Sequence, residues 1–289
     1  MLFNRKSFLA WPRKAITLLG MSGVGKTTLA NHLPKSSWFH YSGDYRIGTK
    51  YLEEPILDNI KRQAMQVTFL RDLLRSDSIY IASNISVHNL EPIATFLGKI
   101  GNPALGGLPL TEFKRRQQLH MLAESAAMRD VADFIDKAHE IYGYHHFLND
   151  AGGSICELDD PRVMQTLAEH TLILYIEAGP EMEQELIDRA RAHPKPLYYR
   201  DDFLDHHLPL YLAERALDEP EQIEPDDFVR WIFPHLLRHR RPRYERIAAS
   251  CGYTVSARDI GALRDEADFL ELVAAAIDRR ETADQRSVS

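Results

Sequence analysis

Residues Gly20-Met21-Ser22-Gly23-Val24-Gly25-Lys26-Thr27 complete a G-x-x-x-x-G-K-[ST] pattern, and the flanks of that pattern constrain what can surround it. Ahead of it lies the apolar run Ala15-Ile16-Thr17-Leu18-Leu19, which reads as a buried strand. Behind it, Thr28-Leu29-Ala30-Asn31-His32-Leu33 reads as the first turns of a helix. A strand that turns through glycines into a helix gathers consecutive backbone N–H groups and the positive end of the helix dipole at one point. That is a cradle for a phosphate chain. The spacing places Lys26 to reach β- and γ-phosphates and the Thr27 hydroxyl to ligate Mg²⁺. Gly20, Ser22, Gly23, Val24, Gly25, Lys26, Thr27 and Thr28 are thus the expected phosphate-binding set for a nucleoside triphosphate.

The chain of 289 residues is long enough for one large α/β domain or a domain with a sizeable insertion. Its net charge of −7 argues against a general nucleic-acid-binding surface, although a local basic patch is compatible with it. Cys156 and Cys251 make no metal-ligand pattern and fit a reducing, cytoplasmic setting. No apolar run approaches the length of a bilayer span. The basic, partly apolar residues 1–12 lack the long apolar stretch of a signal peptide and read as a short arm packed on the domain.

Short apolar runs alternate with longer amphipathic ones, which predicts a parallel sheet with helices on both faces. Strands are expected at 15–20, 38–41, 146–149, 171–176 and 253–255, and residues 78–83 could be a further strand or a buried helix end. Helices are expected at 26–33, 55–74, 111–127, 132–142, 180–192, 225–237, 242–251 and 265–279. A single domain over 1–280 would then carry a helical cap inserted at 84–144, with 281–289 a polar, disordered tail.

Ligands of open α/β sheets bind beyond the carboxyl ends of the strands. Asp44, just past the second strand, can therefore accept the proton of an attacking hydroxyl or hold a Mg²⁺-bound water. Arg46 could clamp an anionic substrate group. The third strand runs into Asp150-Ala151-Gly152-Gly153-Ser154, where the aspartate suits a Mg²⁺ site and the glycines permit close backbone approach to a ligand. Ala151 stands where many hydrolytic motors carry a glutamate, and no Asn-Lys-x-Asp guanine reader exists in the chain. Two basic stretches could close over a transferring phosphoryl group: Arg189, Arg191, Lys195 and Arg200, and the run 238–246. The pairs His145-His146, His206-His207 and His235/His239 lack the supporting ligands of a metal centre.

These pieces together resemble the small-molecule and nucleoside-monophosphate kinases of the phosphate-loop (Walker A) NTPase class, most closely the shikimate and gluconate kinase group. The carrying residues are 20–27, the Asp44/Arg46 pair, Gly152-Gly153, and Arg240-Arg241-Pro242-Arg243-Tyr244-Glu245-Arg246-Ile247-Ala248, which is similar to that family's Arg-x-Pro-x-Tyr-x-x-x-Ala segment. The resemblance implies a three-layer α/β/α fold with a five-stranded parallel sheet in the order 2-3-1-4-5. It implies that Asp44 and Arg46 touch substrate and that Gly152 and Gly153 line its pocket. It also implies a lid between Arg189 and Arg240, with Arg240 facing substrate or phosphate. The cap 84–144 and a lid-like insertion at 195–238 exceed the family's counterparts and one glycine of its usual triplet is absent, so the substrate does not carry over.

The expected activity is Mg²⁺-ATP-dependent phosphoryl transfer to a small hydroxylated or phosphorylated metabolite. Lys26, Asp44, Arg46 and Asp150 would be its catalytic groups, Thr27 and Asp150 its metal ligands, and Arg189, Arg200 and Arg240 its lid. Two other classes are open. One is an ATPase or nucleotide-dependent switch that engages a protein partner through 84–144. The other is a nucleic-acid-end kinase or motor that uses the 238–246 patch, against which the acidic net charge counts.

Overall fold

The computed structural model describes residues 1–158 and 160–288, the side chains of 284 and 286–288 excepted. The chain forms two compact units. The first comprises Met1–Gly43, Met128–Ala192 and Phe233–Ser289; the second comprises Asp44–Ala127 and His193–Ile232.

The first unit is built on five strands: β1 (Ala15–Leu19), β2 (Trp38–Ser42), β3 (His146–Asp150), β4 (Leu172–Glu177) and β5 (Gly252–Ser256). All pair in parallel, in the order β2-β3-β1-β4-β5, with helices on both sides. This is the strand order implied by the resemblance. Central β1 is buried along its whole length, as a strand covered on both faces must be. Its one hydroxyl is satisfied inside the sheet: Thr17 Oγ1 lies 2.8 Å from Thr171 Oγ1 and accepts from Asn149 Nδ2 at 3.2 Å. The register aligns Asp150 with Leu18 on one side and Ser42 on the other. The end of β3 therefore meets the turn that leaves β1.

The N-terminal arm packs on this unit. Arg5 pairs with Glu271 and Asp278, and Phe3 stacks on Trp11.

Each expected core strand is present, but the candidate at 78–83 is not one. It has no regular structure, and Tyr80 in its middle is 88% exposed, so nothing buries the segment. The expected helix 55–74 is two helices, Glu53–Ala64 and Thr68–Arg75, parted where Val67 is extended. Two adjacent β-branched residues, Val67 and Thr68, weaken helical continuity there. Conversely, 225–237 and 242–251 join in one helix, Pro225–Cys251, that carries Pro234 and Pro242 in its interior. Burial of Phe233, Leu236, Leu237, Tyr244 and Ala248 outweighs the backbone hydrogen bonds those prolines forfeit. Residues 281–288, read from their polarity as disordered, continue the last helix, Glu266–Val288; Ser289 lies outside the described residues.

The second unit is helical, with Glu53–Ala64, Thr68–Arg75, Glu91–Leu97, most of Leu110–Arg129 and Asp201–Arg215. Phe113, Tyr199, Phe203, Tyr211 and Phe228 form its aromatic core. Buried Arg116 donates to Glu112 Oε1 at 2.7 Å, Phe96 O at 2.6 Å and Asn59 Oδ1 at 2.8 Å, linking three helices. Among the described residues no helix is long and apolar enough to cross a membrane.

Candidate functional site

The loop after β1 turns through Gly20, Gly23 and Gly25, with φ of +144°, +93° and +103°. Gly23 and Gly25 hold left-handed backbone that a side chain would strain. Gly20 also has no room, because a Cβ there would lie 2.8 Å from Ile176 O. The helix Lys26–His32 starts directly behind Gly25 with no side-chain cap on its first N–H groups.

Lys26 is buried, and its ammonium donates to the loop's own carbonyls, Gly20 O at 2.7 Å and Met21 O at 3.1 Å. The side chain thus sits folded over the concave side of the turn. Thr27 Oγ1 donates to Asp150 Oδ2 at 2.6 Å, which joins the start of the helix to the end of β3. His40 Nε2 lies 3.5 Å from the same carboxylate oxygen, at the outer limit of a hydrogen bond, so it acts as an electrostatic neighbour. Burial alone would raise the Asp150 carboxyl. His40, the Lys26 charge and the Thr27 hydroxyl outweigh that effect and hold it below the usual carboxylate range. An ionised carboxylate beside a hydroxyl, at the start of a helix that no side chain caps, is a donor set that fits Mg²⁺ and a phosphate chain.

Gly153 lies against the phosphate loop: a Cβ on it would come within 2.9 Å of Ser22 N. Gly152 is buried, and its N lies 3.6 Å from where a Cβ on Gly43 would stand. Arg189, on the helix Pro180–Ala192, reaches the loop as well. Its Nη1 lies 2.9 Å from where a Cβ on Gly23 would stand, and the side chain is otherwise exposed.

Arg240 differs from the expectation of a lid arginine. It is 3% exposed and its guanidinium is bonded to Glu157 and to Gly153 O, so it does not swing at a rim. Asp44, Arg46 and Arg200 belong to the second unit. Asp44 is half-buried in the helical turn Gly43–Arg46, and the Arg46 guanidinium lies 5.7 Å from the centre of the Tyr51 ring. Arg200 Nε donates to Asp202 Oδ1 at 2.9 Å ahead of the helix Asp201–Arg215.

Three participants escape a reading of the sequence alone. His40 falls in the expected strand 38–41 and Tyr244 in the segment 240–248, but neither carries a local signal of its contacts, and Glu157 stands alone in a short turn.

No protein-family model matches the chain, and no curated protein matches it. Among solved structures, it is similar to the shikimate kinase from Acinetobacter baumannii in complex with shikimate. That match has 16% identity and a TM-score of 0.31, and covers 82% of this chain and 99% of that one. It is also similar to the shikimate kinase from Bacteroides thetaiotaomicron, at 14% identity and a TM-score of 0.29, covering 78% of this chain and 98% of that one.

Proposed function

We propose that the chain is a cytoplasmic Mg²⁺-ATP-dependent phosphotransferase whose acceptor is a small hydroxylated or phosphorylated metabolite. The observation that carries the reading is the 2.6 Å hydrogen bond between Thr27 and Asp150 at the mouth of the glycine turn. It brings the hydroxyl and the carboxylate that a phosphate-bound Mg²⁺ requires to one point. The metal ion, when bound, supplies charge neutralisation across the phosphate oxygens.

The loop amides from Ser22 to Thr28 hold the phosphates, and Lys26 exchanges its two carbonyl partners for phosphate oxygens. Asp44 orients the acceptor hydroxyl and takes up its proton, and Arg46 holds an acidic group of the acceptor. Gly152 and Gly153 leave the acceptor a backbone-lined approach. Arg189 and Arg200 close over the transferring group and exclude water. Ala151 after Asp150 puts no carboxylate there to activate water, which favours transfer over hydrolysis. Catalysis of this kind is positioning and charge neutralisation.

The test is ADP release with Mg²⁺-ATP against pooled sugar acids, polyols, nucleosides and nucleoside monophosphates, with Lys26→Ala as control. A pool that raises turnover well above the acceptor-free background, and does nothing in Lys26→Ala, supports the reading. Turnover that no pool stimulates counts against it.

The exposed apolar side chains Val67, Phe69 and Tyr80 favour a second reading, nucleotide-dependent association with a protein partner. That reading predicts acceptor-independent turnover or association that depends on the bound nucleotide.

A further inference from the structure

The Gly152-Gly153 turn and the phosphate loop share a side-chain hydrogen-bond partner. Gly153 O is the focus. It accepts from Arg240 Nη1 at 2.8 Å and from the Tyr244 hydroxyl at 3.0 Å. The same hydroxyl stands 3.3 Å from Gly20 O, the first carbonyl of the phosphate loop. A single phenol therefore lies between the backbones of the two loops. Its ring is fixed by stacking on Tyr175, with centroids 5.3 Å apart and planes inclined by 8°.

Arg240 is held from behind. Its Nε and Nη2 donate to Glu157 Oε2 at 2.8 and 2.6 Å, and Glu157 is completely buried. Burial alone would raise that carboxyl, but the Arg240 charge and the hydrogen bonds from His239 and Arg240 together outweigh it and hold the group below the usual carboxylate range. Glu157 follows Gly153 by one short turn, so one guanidinium grips the segment 153–157 at both ends. The segment has no slack, because Gly153 already lies at contact distance from Ser22 N, one of the amides that face the phosphates. Gly153 cannot move toward the loop without displacing that amide, and its hydrogen bonds from Arg240 and Tyr244 oppose movement away.

We infer that Arg240 and Tyr244 are positioning residues that clamp Gly153 against the phosphate loop, and that nucleotide affinity depends on them through backbone groups. The inference rests on the nucleotide-binding part of the function proposed above. It differs from the role that the resemblance implies for Arg240, in which the guanidinium faces substrate or phosphate.

The experiment is equilibrium binding of a fluorescent ATP analogue, displaced by unlabelled ATP with Mg²⁺, to the full chain and to Tyr244→Phe and Arg240→Lys. Melting curves establish that each variant is folded at the assay temperature. Tyr244→Phe keeps the stacked ring and removes only the hydroxyl. Lys at 240 serves Glu157 or Gly153 O but not both. Each is expected to weaken ATP binding about 3- to 10-fold, the equivalent of one or two net hydrogen bonds. A merely structural role lowers the melting temperature and leaves the dissociation constant unchanged.

A folded variant of either kind that binds ATP within about twofold of the unaltered chain, less than one net hydrogen bond, overturns the clamp. Should Arg240→Lys fail to fold, Tyr244→Phe decides alone. If the unaltered chain binds no ATP, the phosphate-loop reading falls and this inference falls with it. Normal binding by the unaltered chain together with normal binding by Tyr244→Phe removes the inference alone.

Discussion

Thr27 Oγ1 and Asp150 Oδ2 stand 2.6 Å apart although 123 positions separate them in the chain. The parallel register of β1 with β3 makes the contact, because Asp150 ends β3 level with Leu18, two residues before the loop begins. A hydroxyl is indispensable at that point if Mg²⁺ and nucleotide bind as proposed. Thr27→Ala is expected to lower acceptor-stimulated ADP release about 100-fold, in line with loss of one preorganised electrostatic contact. Thr27→Ser is expected to retain most of it. A Mg²⁺ titration of both variants checks this; equal turnover in the two would remove Thr27 from the metal site.

Gly153→Ala tests steric contact with the loop separately from hydrogen bonding. The added Cβ meets Ser22 N at 2.9 Å, a backbone atom that cannot swing away. ATP affinity is expected to fall about tenfold, corresponding to roughly 1.4 kcal/mol. Gly261→Ala is the control, since a Cβ there meets nothing within 4 Å. The comparison fails the argument if both substitutions leave the displacement curve unmoved.

The phosphate loop and the five core strands were legible because each depends on local signals, an apolar run or a fixed spacing of glycines. Asp150 was legible for the same reason, as an acid at the end of an apolar strand. Arg240 was not. Its motif gives the residue but not its partner, and Glu157 lies 83 positions away with nothing in its surroundings to mark it as buried. Prolines misled in the other direction. Pro234 and Pro242 predict breaks, yet long-range burial of Tyr244 and its neighbours carries one helix through both. The tail failed for want of any apolar pattern, because a polar helix of good helix formers and a disordered tail look alike in composition.

Glu157 sets an acid limit on stability. Its folded carboxyl lies below its ordinary value of 4.5, because Arg240 and His239, which both face it, together outweigh burial. As pH falls through 4.5, the unfolded chain takes up a proton that the folded chain refuses. Glu157 therefore stabilises fully above that value, and its contribution is lost as pH falls toward the lower folded value. Glu157→Gln is expected to cost about 3 kcal/mol at neutral pH by leaving Arg240 buried without its counter-charge. Its stability should also fall less steeply than that of the unaltered chain between about pH 5 and 3. Urea denaturation across that range is the check, and parallel acid limbs would contradict it.

Arg116 has a corresponding structural role in the second unit. It caps the carbonyl of Phe96 at the end of the helix Glu91–Leu97 and pairs with Glu112, whose carboxyl is lowered to about 2, chiefly by its hydrogen bond to Arg115. Arg116→Ala removes three hydrogen bonds and leaves a helix-end carbonyl buried without its donor. A loss of about 2–3 kcal/mol in unfolding free energy is expected. Glu112 is partly exposed and keeps Arg115 as a partner, so removal of Glu112 itself should cost less than removal of Arg116. The opposite ranking in denaturant midpoints would place the strength of the network at the carboxylate.

Arg189 stands against the phosphate loop, its Nη1 2.9 Å from the Cβ position of Gly23. It is exposed, so it is free to follow a ligand, whereas Arg240 is held by Glu157. An arginine that stabilises charge only in the transition state changes turnover more than ground-state affinity. Arg189→Ala is therefore expected to reduce kcat at least tenfold while the ATP dissociation constant changes by less than about threefold, a modest loss beside the factors known for arginines that close on phosphoryl groups. Arg189→Lys keeps the charge without the planar fork and should recover only part of the loss. Equal losses in kcat and in affinity would instead make Arg189 a ground-state phosphate contact. An unchanged kcat would remove Arg189 from the proposed transition-state contacts.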